Sequence, residues 1–230
     1  MPGAPAGQAL LRLVEVMDTL RTACPWDARQ THETLTPHLL EECYEALDAL
    51  SSGDMDAVRD ELGDVMLQVV FHARVASERS DGTGFTIDDV AAGTVDKLTR
   101  RHPHVFGGAE AGDADEVKRN WDAIKAAERA QAGGGGPVSA MDGVPLAQPA
   151  LALAAQLQRR AERAGAPADL ADLPGTPDGV SELGAELFAL VGKARAAGLD
   201  PELELRAAAR GYADAVRAWE AAQPGGGGAG

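Results

Sequence analysis

Aromatic residues make up only 4 % of these 230 residues, acidic residues outnumber basic ones 36 to 21, and there are just two cysteines. Each scarcity excludes something. Strands are enriched in aromatic and β-branched residues, whereas Ala, Leu, Glu, Asp and Arg dominate the segments between Gly/Pro clusters here and favour helix. The expectation is an all-α fold without a substantial sheet. A net charge of −15 repels nucleic-acid phosphates and anionic lipid surfaces alike, so neither nucleic acid nor membrane is an expected partner. A polyanionic small molecule stays compatible if divalent cations mediate the contact. Cys24 and Cys43 are too few for a disulfide framework and lack metal-ligand spacing; both are read as reduced thiols. No apolar run approaches the ~20 residues that span a bilayer. The opening MPGAPAGQALL has no basic region followed by an apolar stretch, so no secretory signal is read and the cytoplasm is the expected location.

What the chain does have is helical periodicity. Between Asp54 and Glu78 the residues Met55, Val58, Leu62, Val65, Met66, Val69, Val70, Ala73 and Ala76 recur mostly at steps of three and four, the pattern of a long amphipathic helix. Before it, Thr36-Pro37 offers a cap and a first-turn proline for a helix carrying Leu39, Leu40, Cys43, Leu47 and Leu50 and ending at Ser51-Ser52-Gly53. So short a turn predicts an antiparallel pair. Further helices are expected at about 8–22, 87–101, from Asp113 or Asp115 to about Gln131, and at about 148–164, 180–197 and 202–222. The resulting division is a helical domain over 1–131, a Gly/Pro-containing linker over 132–147 that includes Gly133 to Pro137, a second helical unit over 148–223 and a disordered tail over 224–230. Glu61-Leu62-Gly63-Asp64 and the helix after it match Glu182-Leu183-Gly184-Ala185 and its successor, so the second unit reads as a copy of the first.

Glu41, Glu42 and Glu45 lie three and four residues apart, on one side of a helix and away from the Leu39/Cys43/Leu47/Leu50 stripe. By itself that is the geometry of a solvated face. Yet no Lys or Arg occurs from Gln30 to Val58, although Glu33, Glu41, Glu42, Glu45, Asp48, Asp54 and Asp56 do, and like charges at these spacings destabilise a helix. The next helix carries Glu61 and Asp64 around Gly63, and a mid-helix glycine, costing roughly 1 kcal/mol against alanine, suggests close approach of a backbone or a ligand. Folded together, the two helices can gather five carboxylates, the oxygen donors that hard divalent ions prefer. A di-iron bundle would supply Glu-x-x-His pairs. None of His32, His38, His72, His102 and His104 has Glu three positions before it, which disfavours that chemistry.

The segments Cys24-Pro25-Trp26-Asp27, Gln30-Thr31-His32, Glu41-Glu42-Cys43-Tyr44-Glu45, Glu61-Leu62-Gly63-Asp64, Asp96 to Phe106 (DKLTRRHPHVF) and Trp121 to Glu128 (WDAIKAAE) resemble MazG proteins, in that order. The resemblance covers nearly all of 8–131 and continues more loosely through Ser139 to Pro145 and the segment at Glu182. It implies a helical bundle of the all-α NTP pyrophosphatase type, assembled as a homodimer or higher oligomer. It further implies Mg²⁺-dependent hydrolysis of an NTP or dNTP to the monophosphate and pyrophosphate, with Mn²⁺ as a substitute ion and nucleotide house-cleaning as the role. Glu41, Glu42, Glu45, Glu61 and Asp64 become the expected metal ligands, with Glu41 or Glu42 as proton acceptor. Lys97, Arg100 and Arg101 become candidates to hold the outer phosphates, against the plain alternative of a basic helix end favoured by the macrodipole. Trp26 is a candidate to stack on a base, against a packing role.

The second copy departs from this pattern. Ala166 to Gly179 contains Pro167, Pro174 and Pro177 and no Glu-Glu-x-x-Glu, and Ala185 replaces the aspartate. That half is expected to be degenerate and to bind no catalytic metal. Rival readings are a dUTP or phosphoribosyl-ATP pyrophosphohydrolase using the same metal logic, and a catalytically silent helical regulatory or interaction module.

Overall fold

The computed structural model describes residues 7–108, 112–132, 139–167, 170 and 180–223. All regular structure among them is helical: α1 Gln8–Ala23, a 3₁₀ turn Asp27–Arg29, α2 His32–Ser52, α3 Met55–Ala76, α4 Ile87–Arg101, α5 Pro103–Phe106, α6 Ala114–Ala132, α7 Ala150–Arg163, α8 Glu182–Ala196 and α9 Pro201–Ala221. The chain divides into two compact units, Met1–Lys125 and Ala126–Gly230, with the division falling inside α6. The stretch Gly133 to Pro137 and the tail 224–230, read above as linker and disordered tail, lie outside the described residues, as does most of the proline-rich piece 166–179.

Side-chain caps explain several helix starts. Asp54 accepts from the amides of Asp56 and Ala57, and α2 hands over to α3 through Gly53, whose φ of 75° is a left-handed value that favours glycine. Thr86 and Asp89 form a reciprocal capping box for α4, and Asp200 caps α9. Asp113 accepts from the amide of Glu116 at the start of α6. The expected start of α2 is corrected. Its cap is Thr31, not Thr36: the Thr31 hydroxyl accepts from the Thr34 amide at 3.3 Å while the Thr34 hydroxyl accepts from the Thr31 amide at 2.8 Å. Pro37 therefore lies inside α2 and forgoes one helical hydrogen bond. The adjacent Thr36 hydroxyl donates to the His32 carbonyl at 2.8 Å.

In the first unit α2 and α3 form a hairpin. Pairings on either side of Gly53, His32 with His72 (Nδ1 to Nδ1, 2.8 Å) and Glu45 with Glu61, show that the helices run antiparallel. The core is Met17, Leu35, Val70 and Phe71, flanked by Leu13, Val14, Leu67, Val75 and Ile87. Asp18 pairs with Arg74 and Arg21 with Glu78; these contacts advance together, so α1 runs in the same direction as α3.

The packed face of α2 differs from the one its leucines suggest. Leu35, Ala46 and Ala49 are buried, whereas Leu40, Cys43, Leu47 and Leu50 are exposed. Short alanines let α3 approach that side, which is also the side carrying Glu42. Likewise α3 has two apolar faces: Val58, Val70, Phe71, Ala73 and Ala76 are buried, while Met55, Leu62, Met66 and Val69 form an exposed stripe.

In the second unit Ala155 and Val191 are buried. Gln158 on α7 donates to the Phe188 carbonyl on α8 at 2.8 Å, and Arg195 pairs with Glu162 at 2.7 Å. Arg160 donates to the carbonyls of Ala140 and Asp142, tying the 139–143 turn to α7. α8 begins at Glu182, capped by Ser181. The repeated Glu-Leu-Gly motif thus opens its helix here, whereas in the first unit it lies well inside α3.

Candidate metal and nucleotide site

Near the middle of the hairpin, oxygens of Glu42, Glu45 and Glu61 all lie within 4.8 Å of one another. Spacings of three on α2 and the antiparallel register of α3 cause this, because the two helices present these positions to the same side. Burial pushes the Glu42 carboxyl above its ordinary range, with the charges of Asp64 and Glu45 adding to the effect. Glu61 is raised in the same way, first by burial and then by Glu45 and Asp64. Asp64 therefore borders two of the three, Glu42 and Glu61. Glu41 adds a smaller repulsion to Glu42 and turns towards His38, whose Nδ1 lies 3.9 Å from its Oε2.

The group is self-repelling, and its donors are all carboxylate oxygens. Both properties fit a hard divalent cation, which offsets the repulsion and takes oxygen ligands. Among the described residues this is the one cluster of three or more potential metal-ligating side chains, and it lies in the first unit. Gly63, beside the group, is a correction as far as protein contact is concerned. A Cβ built there meets no atom within 4 Å, so no neighbouring backbone requires glycine, and the space beside it stays open to a ligand.

Trp26 is 54 % exposed, not a buried packing anchor. Its ring meets His38 edge-on, with centroids 6.0 Å apart and planes at 70°. His38 carries no role in the sequence reading, although its position three residues before Glu41 places it on the carboxylate side of α2.

Lys97, Arg100 and Arg101 lie in the last turns of α4. The Arg101 guanidinium sits over the Trp121 ring, 5.4 Å from its centroid, and His102 meets the same ring edge-on at 4.7 Å. His102 Nδ1 is 2.7 Å from the Leu98 carbonyl, and α5 follows at Pro103. Trp121 is a second residue that sequence reasoning leaves unassigned. Its signal is the WDAIKAAE segment itself, but only the fold brings it to Arg101.

Comparison with known proteins places the site in context. Residues 30–106, which include all five carboxylates, match the MazG nucleotide pyrophosphohydrolase domain. The chain is similar to the nucleoside triphosphate pyrophosphohydrolase/pyrophosphatase MazG of Thermotoga maritima, at 37 % identity over 94 % of this chain and 87 % of that protein. It is 50 % identical to an uncharacterized 26.1 kDa protein from the blaB 3′ region of Streptomyces cacaoi, over 93 % of this chain and 84 % of that one. To a nucleoside triphosphate pyrophosphohydrolase of Mycobacterium tuberculosis it is 41 % identical over 96 % of its length, yet it spans only 61 % of that relative.

Proposed function

This chain belongs to the MazG nucleotide pyrophosphohydrolase family, and from that premise we propose that it hydrolyses nucleoside triphosphates to the monophosphate and pyrophosphate. The observation that carries the reading is the convergence of Glu42, Glu45 and Glu61 from two helices within 4.8 Å. A solvated acidic face needs no such convergence.

In this reading Glu42, Glu45 and Glu61, with Glu41 and Asp64 at the rim, hold Mg²⁺, with Mn²⁺ able to replace it. When bound, the cation supplies charge neutralisation and Lewis acidity to the phosphate groups. The chain's own residues do the rest. A carboxylate oxygen of Glu41 or Glu42 accepts the proton of the water that attacks the α-phosphorus. Lys97, Arg100 and Arg101 hold the outer phosphates and favour departure of pyrophosphate. Trp26 stacks against the base. The second unit takes no part in metal binding, because its motif begins a helix and Ala185 stands at the aspartate position.

The exposed stripe Met55, Leu62, Met66 and Val69, together with Leu40, Leu47 and Leu50, supports a homodimer or higher homo-oligomer built through the hairpin. No described helix is long and apolar enough to cross a membrane. A nucleotide-pool house-cleaning role in the cytoplasm accords with this chemistry.

Incubation of the purified chain with a panel of NTPs and dNTPs plus Mg²⁺, followed by separation of the products, tests the proposal. Monophosphate and pyrophosphate should appear in equal amounts. Release of inorganic phosphate and nucleoside diphosphate would refute the reaction, and exclusive turnover of dUTP would move the chain to the neighbouring dUTP reading.

A further inference from the structure

We propose that Arg21 is a positioning residue for the substrate site: it holds the 24–30 loop so that Trp26 is fixed beside the carboxylates. The inference rests on the pyrophosphohydrolase reading above.

Arg21 is 9 % exposed in the last turn of α1. Its Nε and Nη2 donate to the two carboxylate oxygens of Glu78, each at 2.8 Å. Glu78, just past the end of α3, is held in turn by Arg74, whose Nη1 donates to it at 2.9 Å and whose Nε donates to Asp18 at 2.7 Å. One edge of the Arg21 guanidinium is therefore fixed by α3. The other edge points into the loop, where Nη1 donates to the carbonyls of Gln30, at 2.9 Å, and Asp27. The loop's internal support is a 3₁₀ turn, a bond from the Ala28 amide to the Cys24 carbonyl at 3.0 Å and one from the Gln30 side-chain amide to the Trp26 carbonyl at 2.9 Å. The indole at its tip is exposed and set against His38, about one turn of α2 before Glu41 and Glu42.

Fold stability does not by itself call for this arrangement, since the Glu78 side chain is exposed and an ion pair open to solvent on one side contributes little. Arginine alone offers a planar fork that satisfies a carboxylate on one side while reaching two carbonyls on the other. Its effect is to order an exposed aromatic ring before substrate arrives, which removes an ordering cost from binding. The carboxylates that do the chemistry lie on the hairpin, not on the loop. Loosening the loop should therefore weaken substrate binding and leave the chemical step nearly intact.

Arg21→Lys keeps the charge and the pairing with Glu78 but cannot span both carbonyls; Glu78→Gln, a milder change, leaves Arg21 its carbonyl bonds. For Arg21→Lys, KM for the best nucleoside triphosphate should rise roughly tenfold with kcat within about twofold, and for Glu78→Gln the rise should be smaller. In a background with Trp121→Phe and Trp219→Phe, where Trp26 is the sole tryptophan, Arg21→Lys should also raise acrylamide quenching of its fluorescence. A variant with a lower Tm but unchanged KM and unchanged quenching would overturn the proposal, as would an equal fall in kcat and kcat/KM. A wild-type protein inert towards nucleoside triphosphates would instead sink the pyrophosphohydrolase reading, and the quenching comparison would still decide whether Arg21 holds Trp26.

Discussion

Glu61 works against the fold in the place where the proposed site would use it. Burial and the charges of Glu45 and Asp64 disfavour ionisation and push its carboxyl up from the ordinary value of 4.5, and Glu42 is raised in the same direction. In the window between 4.5 and the raised folded values, the folded chain holds more protons than the unfolded one. Without cations, stability contributed by these groups is fully present below pH 4.5 and is lost as the pH rises through the folded values. A divalent cation held at the proposed site would reverse the balance, because it binds the ionised form and competes with protons. Titration of Mg²⁺ in a thermal-unfolding assay should therefore raise Tm more at pH 7.5 than at pH 5. Glu61→Gln removes one charge at constant shape: the cation-free protein should be at least as stable as wild type, the Mg²⁺-dependent shift should shrink, and hydrolysis should fall by roughly a hundredfold or more. Unaltered hydrolysis would remove Glu61 from the site. The sequence shows the spacing and uncompensated charge of these residues, but it does not show which of the five converge most closely. Side-chain direction across the hairpin decides that.

At the scale of the element, the limits of the expected helices other than the start of α2 are legible to within about two residues. Asp113, one of the two caps read for α6, has a direct hydrogen-bonding reason to start it; the starts of α3 and α4 are legible from their apolar periods, and the structure adds the caps Asp54 and Thr86. Thr31 was obscured by Thr36-Pro37, a more familiar start signal that a helix with a good earlier cap can absorb. Replacing Thr31 with Ala should cost about 1 kcal/mol, seen as a lower denaturation midpoint in urea. Hydrolysis should fall far less than for Glu61→Gln, since the carboxylates lie two turns or more further along; a loss of activity as large would mean that the start of α2 reaches into the reaction itself. The leucine stripe of α2 misled for another reason. Periodicity locates an apolar face but does not name its partner, and here the alanines face α3 while the leucines face outwards.

The whole molecule follows from those outward faces. Met55, Leu62, Met66 and Val69 are uncovered on one helix, apolar area that water disfavours and that a second copy would cover in the proposed homo-oligomer. Leu62→Lys combined with Met66→Lys should shift the proposed homo-oligomer towards monomer in sedimentation or light scattering. An unchanged oligomeric mass would place the interface elsewhere. The repeated Glu-Leu-Gly motif and the proline-rich departure before its second copy are legible in the sequence, and the structure adds that the motif opens α8 but sits within α3.

The hairpin turn at Gly53 has a consequence for how such chains can change length. Glu45 and Glu61 meet because each lies nearly the same distance from the turn. One residue inserted into either arm between them and Gly53 would rotate one partner by about 100° around its helix and scatter the group. Adding seven residues to both arms together would lengthen the hairpin by about 10 Å while returning each carboxylate almost to its original side. Relatives with longer or shorter hairpins should therefore differ by matched gains or losses on the two arms, and an unmatched change there marks a chain that has given up the site.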